Sequence, residues 1–288
     1  MTNLKLEVAR WLAPVLAVVL SAPVMAADKG SVHIGLNNWA ENIAVSNMWK
    51  VLLEERGYDV ELTSAGKSVI YSGVATDSID VGLEVWMPKT DKQFYERYEE
   101  DIALQEPWYR GTGLGLVVPA YVDVNSITEL NANAEKFEQD GSPGIVGIDP
   151  GSALMGLTED VIEKYDLDLK LIPSSGPGMM SALDRAYNRE EPVVVTLWNP
   201  HWAFADYDLK YLDDPKNIYG KGENIHWMSR PEFEEEQPKV VTWMNNWEMN
   251  DQQVGGLMAT IKESDTAEAG ARKWIENNRD LVDSWFEG

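Results

Sequence analysis

Cysteine is absent from the sequence, and histidine is scarce. Without a thiol, the chain has no disulfide, no cysteine nucleophile, no thiolate metal ligand and no lipid-attachment cysteine. The three histidines, His33, His201 and His226, are too scattered to indicate a metal site. Neither a G-x-S-x-G nucleophile motif nor a G-x-G-x-x-G nucleotide-binding motif is present. The sequence therefore predicts no catalytic residue, no metal and no cofactor.

Positive charge is also in short supply. Lysine and arginine total 24 residues against 48 aspartates and glutamates, which gives a formal net charge of −24. Because proteins bind nucleic acids largely through basic residues that neutralise phosphates, this composition argues against a nucleic acid partner. A strongly acidic surface favours solubility instead.

The N-terminus carries a basic and then an apolar segment. Lys5 and Arg10 precede the apolar run Trp11–Leu20, and small residues follow as far as Ala26. The run is shorter than the about 20 residues that a membrane-spanning helix needs. We therefore interpret residues 1–26 as a cleavable signal peptide and not as a membrane anchor. Because no cysteine is available for lipid attachment, we expect a free periplasmic protein of a Gram-negative cell.

After residue 26, strand patterns alternate with helical periodicity, which is typical of α/β domains. The first series has predicted strands at 31–36, 58–63 and 81–85, helices at 43–56, 68–76 and 92–98, and a final apolar stretch at 113–119. The second series starts at 126–130 and has predicted strands at 144–148, 169–172 and 192–197, helices at 154–165 and 179–188, and a return strand at 225–228. The remaining residues are predicted to be mostly helical, with five packing residues: Trp243, Trp247, Met258, Trp274 and Trp285.

Two such series predict a two-lobed α/β protein with a hinge that the chain crosses twice. We place the first lobe at residues 27–115 and 226–288 and the second lobe at residues 116–225. Proteins of this architecture hold their ligand in the cleft between the lobes.

Tryptophan is unusually frequent, with 12 residues, and three of them follow predicted strands. Trp39, Trp86 and Trp198 come after the strands at 31–36, 81–85 and 192–197. Because ligands of open α/β sheets bind near the carboxyl ends of strands, we expect the three indoles to meet in the cleft. Each indole face contributes about 0.5–2 kcal/mol to the binding of a cation. A quaternary ammonium fits such a cage because it has no N–H group to leave unsatisfied on burial. The alternative is that these rings fill the core or the lobe interface.

A second feature of the predicted cleft is the turn Asp149–Met155, which follows the strand at 144–148 and opens a helix. Free N–H groups at a helix N-terminus bind anions, so this turn can take the carboxylate of a zwitterion. The alternative is an ordinary turn in which Ser152 caps the helix.

Four segments together resemble the periplasmic glycine betaine/proline betaine-binding proteins of ABC importers: Asn38–Glu41, Trp86–Pro88, Gly147–Ser152 and Trp198–Trp202. The segments 115–119 and 208–216 are similar to that family too, and the resemblance covers nearly the whole mature chain. It implies a type II periplasmic-binding fold. It also implies that Trp39, Trp86 and Trp198 form an aromatic cage. The backbone amides near Ala153 and Leu154, beside Ser152, would then clamp the ligand carboxylate.

One position departs from that family. Similar proteins carry a histidine shortly after the Trp-x-Pro motif that helps to hold the ligand carboxylate, whereas this chain has Asp91. An ionised aspartate cannot donate a hydrogen bond. Either the helix amides hold the carboxylate, with or without Lys89 or Arg110, or the ligand has no carboxylate and is closer to choline. The further candidates for ligand contacts are Asp91, His201, Trp202 and Glu41, and a capping or loop hydrogen bond is the alternative role of Glu41.

The resemblance implies a substrate-binding protein that captures glycine betaine or a related quaternary ammonium solute. Its partners would be the permease of an ABC importer and the ATPase subunit of that complex, and we expect a monomer. Two alternatives belong to other classes. One is a periplasmic enzyme that uses Glu41 or Asp91 as acid and base, and the other is a sensory binding protein. The sequence does not rank glycine betaine against proline betaine, choline or carnitine.

Overall fold

The computed structural model describes residues 29–139 and 141–287, so the predicted signal peptide at 1–26 lies outside the described residues. In chain order the strands are β1 (Ser31–Leu36), β2 (Asp59–Ser64), β3 (Val81–Met87), β4 (Ala103–Arg110), β5 (Gly113–Pro119), β6 (Glu138–Gln139), β7 (Ser142–Val146), β8 (Lys170–Ile172), β9 (Val195–Asn199), β10 (Leu209–Tyr211) and β11 (Asn224–Ser229).

The α-helices are, in chain order, α1 (Ala40–Glu54), α2 (Lys67–Ala75), α3 (Lys92–Tyr98), α4 (Ala153–Tyr165), α5 (Gly176–Tyr187), α6 (Ala203–Asp206), α7 (Phe233–Glu236), α8 (Pro238–Asn246), α9 (Asp251–Lys262), α10 (Ala267–Asn277) and α11 (Arg279–Ser284). Two 3₁₀ segments, Ile127–Glu129 and Asn131–Phe137, precede β6. Within the described residues, no helix combines the length and the apolar character needed to cross a membrane.

The first sheet has the strand order β2-β1-β3-β11-β4. β1 runs parallel to β2 and β3, whereas β11 is antiparallel to both of its neighbours. Helices cover both faces, which explains the nearly continuous apolar sequence of the central strands. Ile34 packs in the large core that includes α1, while an added Cβ on the next residue, Gly35, would lie 2.9 Å from Ile70 of α2. Since successive strand residues point to opposite faces, α1 and α2 pack on opposite sides of the sheet.

The second sheet has the order β10-β5-β9-β7-β6, with β8 paired to the other part of β7. β7 is parallel to β8 and β9, and β5 is antiparallel to β9. The two sheets, each with its helices, form the two lobes of the fold. The C-terminal helices return to the first lobe, where α9 and α10 pack against α1.

The chain crosses between the sheets twice, and the two crossings lie side by side. The backbone N–H groups of Gly111 and Thr112 both donate to the carbonyl oxygen of Glu223, at 2.9 Å each. The sheets divide the chain slightly differently from our predicted boundaries. Residues 113–115, predicted for the first lobe, pair with β9 in the second sheet, and residues 224–225, predicted for the second lobe, pair with β3 and β4 in the first. Hydrogen bonding decides sheet membership, and the apolar pattern does not reveal it.

The C-terminal tryptophans form an aromatic core, as expected. The rings of Trp108 and Trp247 stack with centroids 4.7 Å apart and planes at 5°, and Trp49 meets Trp247 edge-on at 5.5 Å. The five predicted packing residues, Trp243, Trp247, Met258, Trp274 and Trp285, are all buried. Three strands, β4, β6 and β10, were not predicted, and β9 begins three residues later than expected, at Val195 after the Pro192 segment.

The close approach of α9 and α10 gives a stability prediction with a matched control. A Cβ added to Gly270 would lie 2.5 Å from the Cα of Ile261, which is backbone and cannot move aside, whereas a Cβ on Gly255 of α9 meets nothing within 4 Å. We expect Gly270→Ala to lower the free energy of unfolding by about 1–3 kcal/mol through overpacking. Gly255→Ala should raise it by up to about 1 kcal/mol because alanine favours the helix. Urea unfolding of both variants measures the difference, and equal stabilities would contradict the assigned packing.

Candidate functional site

A cavity between the lobes contains most of the predicted ligand-contacting residues. It encloses about 320 Å³ of space free of protein atoms, including solvent at its mouth. Among the described residues, its lining comprises Trp39, Glu41, Lys67, Trp86, Thr90 and Asp91 from the first lobe and Leu114, Ile148, Ser152, Ala153, Leu154 and Trp198 from the second. The two lobes thus contribute equally to one site.

The three predicted indoles meet at this cavity. Trp39 is the N-cap of α1, whereas Trp86 and Trp198 are the last residues but one of β3 and β9, and so lie within the strands that we expected them to follow. All three are buried, at 9%, 4% and 3% exposure. The rings of Trp39 and Trp198 come from different lobes and meet edge-on, with centroids 6.4 Å apart and planes at 61°.

Hydrogen bonds hold two of the three rings by their N–H edge. The Trp39 Nε1–H donates to Asp149 Oδ2 of the second lobe at 3.2 Å, so this bond also joins the lobes. The Trp86 Nε1–H donates to Glu84, which also accepts a hydrogen bond from Asn42 Nδ2 at 3.2 Å. Trp198 Nε1 has no hydrogen-bond partner in the described part of the chain. A ring held at its edge has a fixed orientation towards the cavity.

Glu41 is a fully buried carboxylate beside the indoles. Neither of its oxygens has a partner at hydrogen-bond geometry within the described residues, although the Trp198 indole and Glu84 lie close by. Burial, and then repulsion from Glu84, raises the pKa of Glu41 well above its ordinary value of 4.5. Burial likewise raises the pKa of Glu84. The capping role that we weighed for Glu41 is not seen, because α1 has no side-chain cap and Glu41 faces the cavity.

Asp91 and Lys67 form a buried ion pair in the same cavity. Lys67 Nζ lies 2.5 Å from Asp91 Oδ2, and their side chains are 3% and 1% exposed. The same Asp91 oxygen accepts the Trp86 backbone N–H at 2.7 Å. Burial raises the pKa of Asp91, while Lys67 opposes that effect. The Lys67 ammonium also lies 5.1 Å from the centroid of the Trp39 ring.

The N-terminus of α4 forms the wall contributed by the second lobe. Ser152 is its N-cap and accepts the Met155 N–H at 3.3 Å, so the capping role is the one its side chain plays here. The N–H groups of Ala153 and Leu154 lie in the first turn, where no intrahelical acceptor exists. They line the cavity and give it a positive helix terminus.

Several candidates lie outside this cavity. Lys89 donates from its ammonium to the Ile218 carbonyl, and Arg110 pairs with the exposed Glu248, so neither of these cations reaches the site. His201 and Trp202 line a second cavity on the other side of Trp198. His201 is buried, its pKa is lowered to about 3, and its Nδ1 accepts the Ala203 N–H at 3.0 Å.

The second cavity shows that the lobes also touch away from the first one. Lys262 of α9 pairs with Asp206 of α6, and its ammonium lies 4.0 Å from the centroid of the Trp202 ring. On another side of the cleft, Asn199 Nδ2 donates to the Tyr109 hydroxyl at 2.8 Å. These contacts join the first lobe to the second.

Sequence reasoning missed four residues of the cavity lining, Lys67, Thr90, Leu114 and Ile148, and also Glu84, which binds the Trp86 indole. A signal for Lys67 was available, because it follows the end of β2 in the same way that Trp39 follows β1. Applying the strand-end rule to polar residues as well as to tryptophan finds it. Glu84 lies inside a strand, and its sequence position gave no such signal.

The geometry defines a class: a two-lobed binding protein with a site closed between its lobes. The chain belongs to the family described as "Substrate binding domain of ABC-type glycine betaine transport system", whose model matches residues 30–277. Members of this family are transport binding proteins.

Three relatives support this assignment. The structure of lactococcal OpuAC, closed and complexed with glycine betaine, is similar with a TM-score of 0.83 and 33% identity over 90% of this chain and 100% of that one. An ABC-transporter choline-binding protein complexed with choline has a TM-score of 0.80 and 25% identity, over 88% and 91% of the chains. The glycine betaine/carnitine transport binding protein GbuC of Listeria monocytogenes is 40% identical over 50% of this chain, and the chain spans about half of that relative, 49% of its length.

The raised pKa of Glu41 makes stability depend on pH. Above about pH 4.5, its ordinary pKa, the unfolded chain loses this proton while the folded protein keeps it. The folded state then binds more protons, so stability falls as pH rises towards the raised pKa. We expect the free energy of unfolding of Glu41→Gln, relative to wild type, to increase with pH by up to about 1.4 kcal/mol per unit.

Urea unfolding between pH 4.5 and 8 tests this, with Glu159→Gln, an exposed change in α4, as the control for loss of one charge. A difference between Glu41→Gln and wild type that does not vary with pH would contradict the assignment.

Proposed function

We propose that this chain captures a quaternary ammonium solute, with glycine betaine as the leading candidate, in the cavity formed by Trp39, Trp86 and Trp198. The observation that carries the proposal is the meeting of three indoles from both lobes at one cavity that also holds a buried carboxylate. Relatives named as binding glycine betaine or choline support the same class of ligand.

The cationic end of the ligand lies among the indoles and near Glu41. A methylated ammonium keeps its charge but has no N–H group, so its removal from water costs no lost hydrogen bond. Since a nearby cation favours the charged form of a carboxyl group, the bound ligand ionises Glu41. The indole faces and this carboxylate together attract the charge, and the apolar methyl groups pack on the rings. Glu41 is a better counter-ion than Glu84, because both of its oxygens have no partner in the described residues and it lines the cavity.

The anionic end of the ligand faces the N-terminus of α4. Backbone amides of Ala153 and Leu154 offer donors there, and the helix dipole adds to the attraction. A carboxylate-free amine such as choline is the second candidate, favoured by the absence of a histidine at Asp91 and by the similarity to a choline-binding protein. An enzyme acting on betaines is disfavoured, because the family is one of transport binding proteins.

The wider role follows from the family. The loaded protein delivers its ligand to the permease of an ABC importer, which an ATPase subunit powers, and it does so as a monomer. Cleavage of the signal peptide at residues 1–26 frees it into the periplasm.

Substitution of each indole tests whether the three rings bind the ligand as a cation cage or only by apolar packing. We expect Trp39→Leu, Trp86→Leu and Trp198→Leu to weaken glycine betaine binding by roughly 10- to 30-fold each, since leucine keeps apolar volume but has no π face. The corresponding phenylalanine variants should lie between leucine and wild type. Isothermal titration calorimetry measures the three series.

The isostere tert-butylacetate, in which an uncharged carbon replaces the quaternary nitrogen and the carboxylate is kept, is the ligand control. It has the shape of glycine betaine but lacks the positive charge. It should therefore bind wild type far more weakly than glycine betaine does. Trp243→Phe, in the distant aromatic core, is the protein control and should leave affinity unchanged. Wild-type binding of the isostere as tight as that of glycine betaine would overturn the cage.

A further inference from the structure

Lys67, which we did not predict as a site residue, is the cation of the site. It is the only lysine or arginine that lines the cavity within the described ranges. Its side chain is 3% exposed, and a lysine is almost never buried to this extent without a compensating partner. The partner, Asp91, explains why the charge of Lys67 is tolerated in a buried position. It does not explain why Lys67 lies at the ligand cavity.

The Lys67 ammonium has donor capacity to spare. Lysine carries three N–H donors, and within the described residues the Asp91 carboxylate is its one acceptor. Asp91 in turn is fixed by the backbone N–H of Trp86, so the ion pair cannot swing away from the indoles. A rigidly held ammonium with unused donors is therefore presented to whatever occupies the cavity.

The position of Lys67 dictates where opposite ends of a ligand can lie. Its ammonium is 5.1 Å from the centroid of the Trp39 ring, and a second cation brought to that side would be repelled. A methylated ammonium is drawn towards Glu41, whose carboxyl group has no hydrogen-bond partner in the described chain and ionises beside a cation. An anionic group is drawn towards Lys67 instead.

We propose that Lys67 is a specificity-determining residue that binds the anionic group of the ligand and makes the site select zwitterions over carboxylate-free cations. This inference rests on the proposed function, because it concerns the same cavity. The carboxylate is held from both lobes, by the ammonium of Lys67 in the first and by the first-turn amides of α4 in the second. Similar proteins carry a histidine here that donates directly to the ligand. In this chain Asp91 acts instead by positioning Lys67.

Lys67 distinguishes the two classes of ligand. If Lys67 binds the ligand carboxylate, glycine betaine gains a charge-assisted hydrogen bond that choline cannot form. Wild type should therefore bind glycine betaine more tightly than choline.

Calorimetry with both ligands tests the proposal. We expect Lys67→Met to weaken glycine betaine binding by about 30-fold, the effect of losing one hydrogen bond to a charged group. Choline binding should stay within about threefold of wild type or become tighter, so the ratio of the two dissociation constants changes sharply. Lys92→Met, which removes an exposed neighbouring charge, should leave both affinities unchanged.

A second variant tests whether misfolding, and not the loss of a ligand contact, causes the effect of Lys67→Met. Lys67→Met alone leaves Asp91 buried without its counter-ion, which destabilises a protein. The double change Lys67→Met with Asp91→Asn removes both charges and keeps an oxygen to accept the Trp86 N–H. It should show the same change in selectivity.

The outcomes are distinguishable. Wild type that prefers choline, or variants that weaken both ligands equally, would overturn the role of Lys67 and leave the quaternary ammonium site standing. Wild type that binds neither ligand would overturn the proposed function itself.

Discussion

Charge buried beneath aromatic rings is the constraint on which this site depends. Four ionisable side chains, Glu41, Lys67, Glu84 and Asp91, lie at or directly behind the cavity, and each is at most 5% exposed. Burying unpaired charge is costly, and the protein compensates only in part. Lys67 and Asp91 neutralise each other, and Glu84 is hydrogen-bonded by an indole and an amide. Both oxygens of Glu41 lack a hydrogen-bond partner in the described residues, and we propose that a ligand cation compensates this carboxylate.

Strand ends and helix N-termini position these groups. β3 and β9 occupy inner positions of the two sheets, and each ends at the cleft with a Trp-x-Pro segment. The inner strands are rigid because they are hydrogen-bonded on both sides. Helices that begin at the same edge, α1, α2 and α4, bring Trp39, Lys67 and Ser152 to the cavity. A small set of strand ends and helix starts thus assembles a site from residues far apart in sequence.

Much of this arrangement was predictable from local pattern. The strand at 31–36 was predicted to the exact residue, and most other elements were predicted to within three residues of their bounds. The strand-end rule brought three tryptophans to one cavity, because the sequence alone shows which end of each strand is its carboxyl end. What escaped prediction depends on partners distant in sequence. Lys67 and Glu84 look like surface residues until Asp91 and Asn42 are seen beside them, and β4 is assigned only by its pairing with β11. Lys89 and Arg110 were plausible by charge alone, and their actual partners lie elsewhere.

The ion pair between Lys262 and Asp206 joins the lobes at the second cavity, outside the lining of the cavity where the three indoles meet. Any contact formed only when the lobes meet increases the population of the binding-competent form, and apparent affinity scales with that population. Since Lys262 and Asp206 do not line the ligand cavity, changing them can alter how long a solute is retained without altering which solute is chosen. Selection for retention and selection for chemical identity then act on separate parts of the molecule, and each can evolve at its own pace.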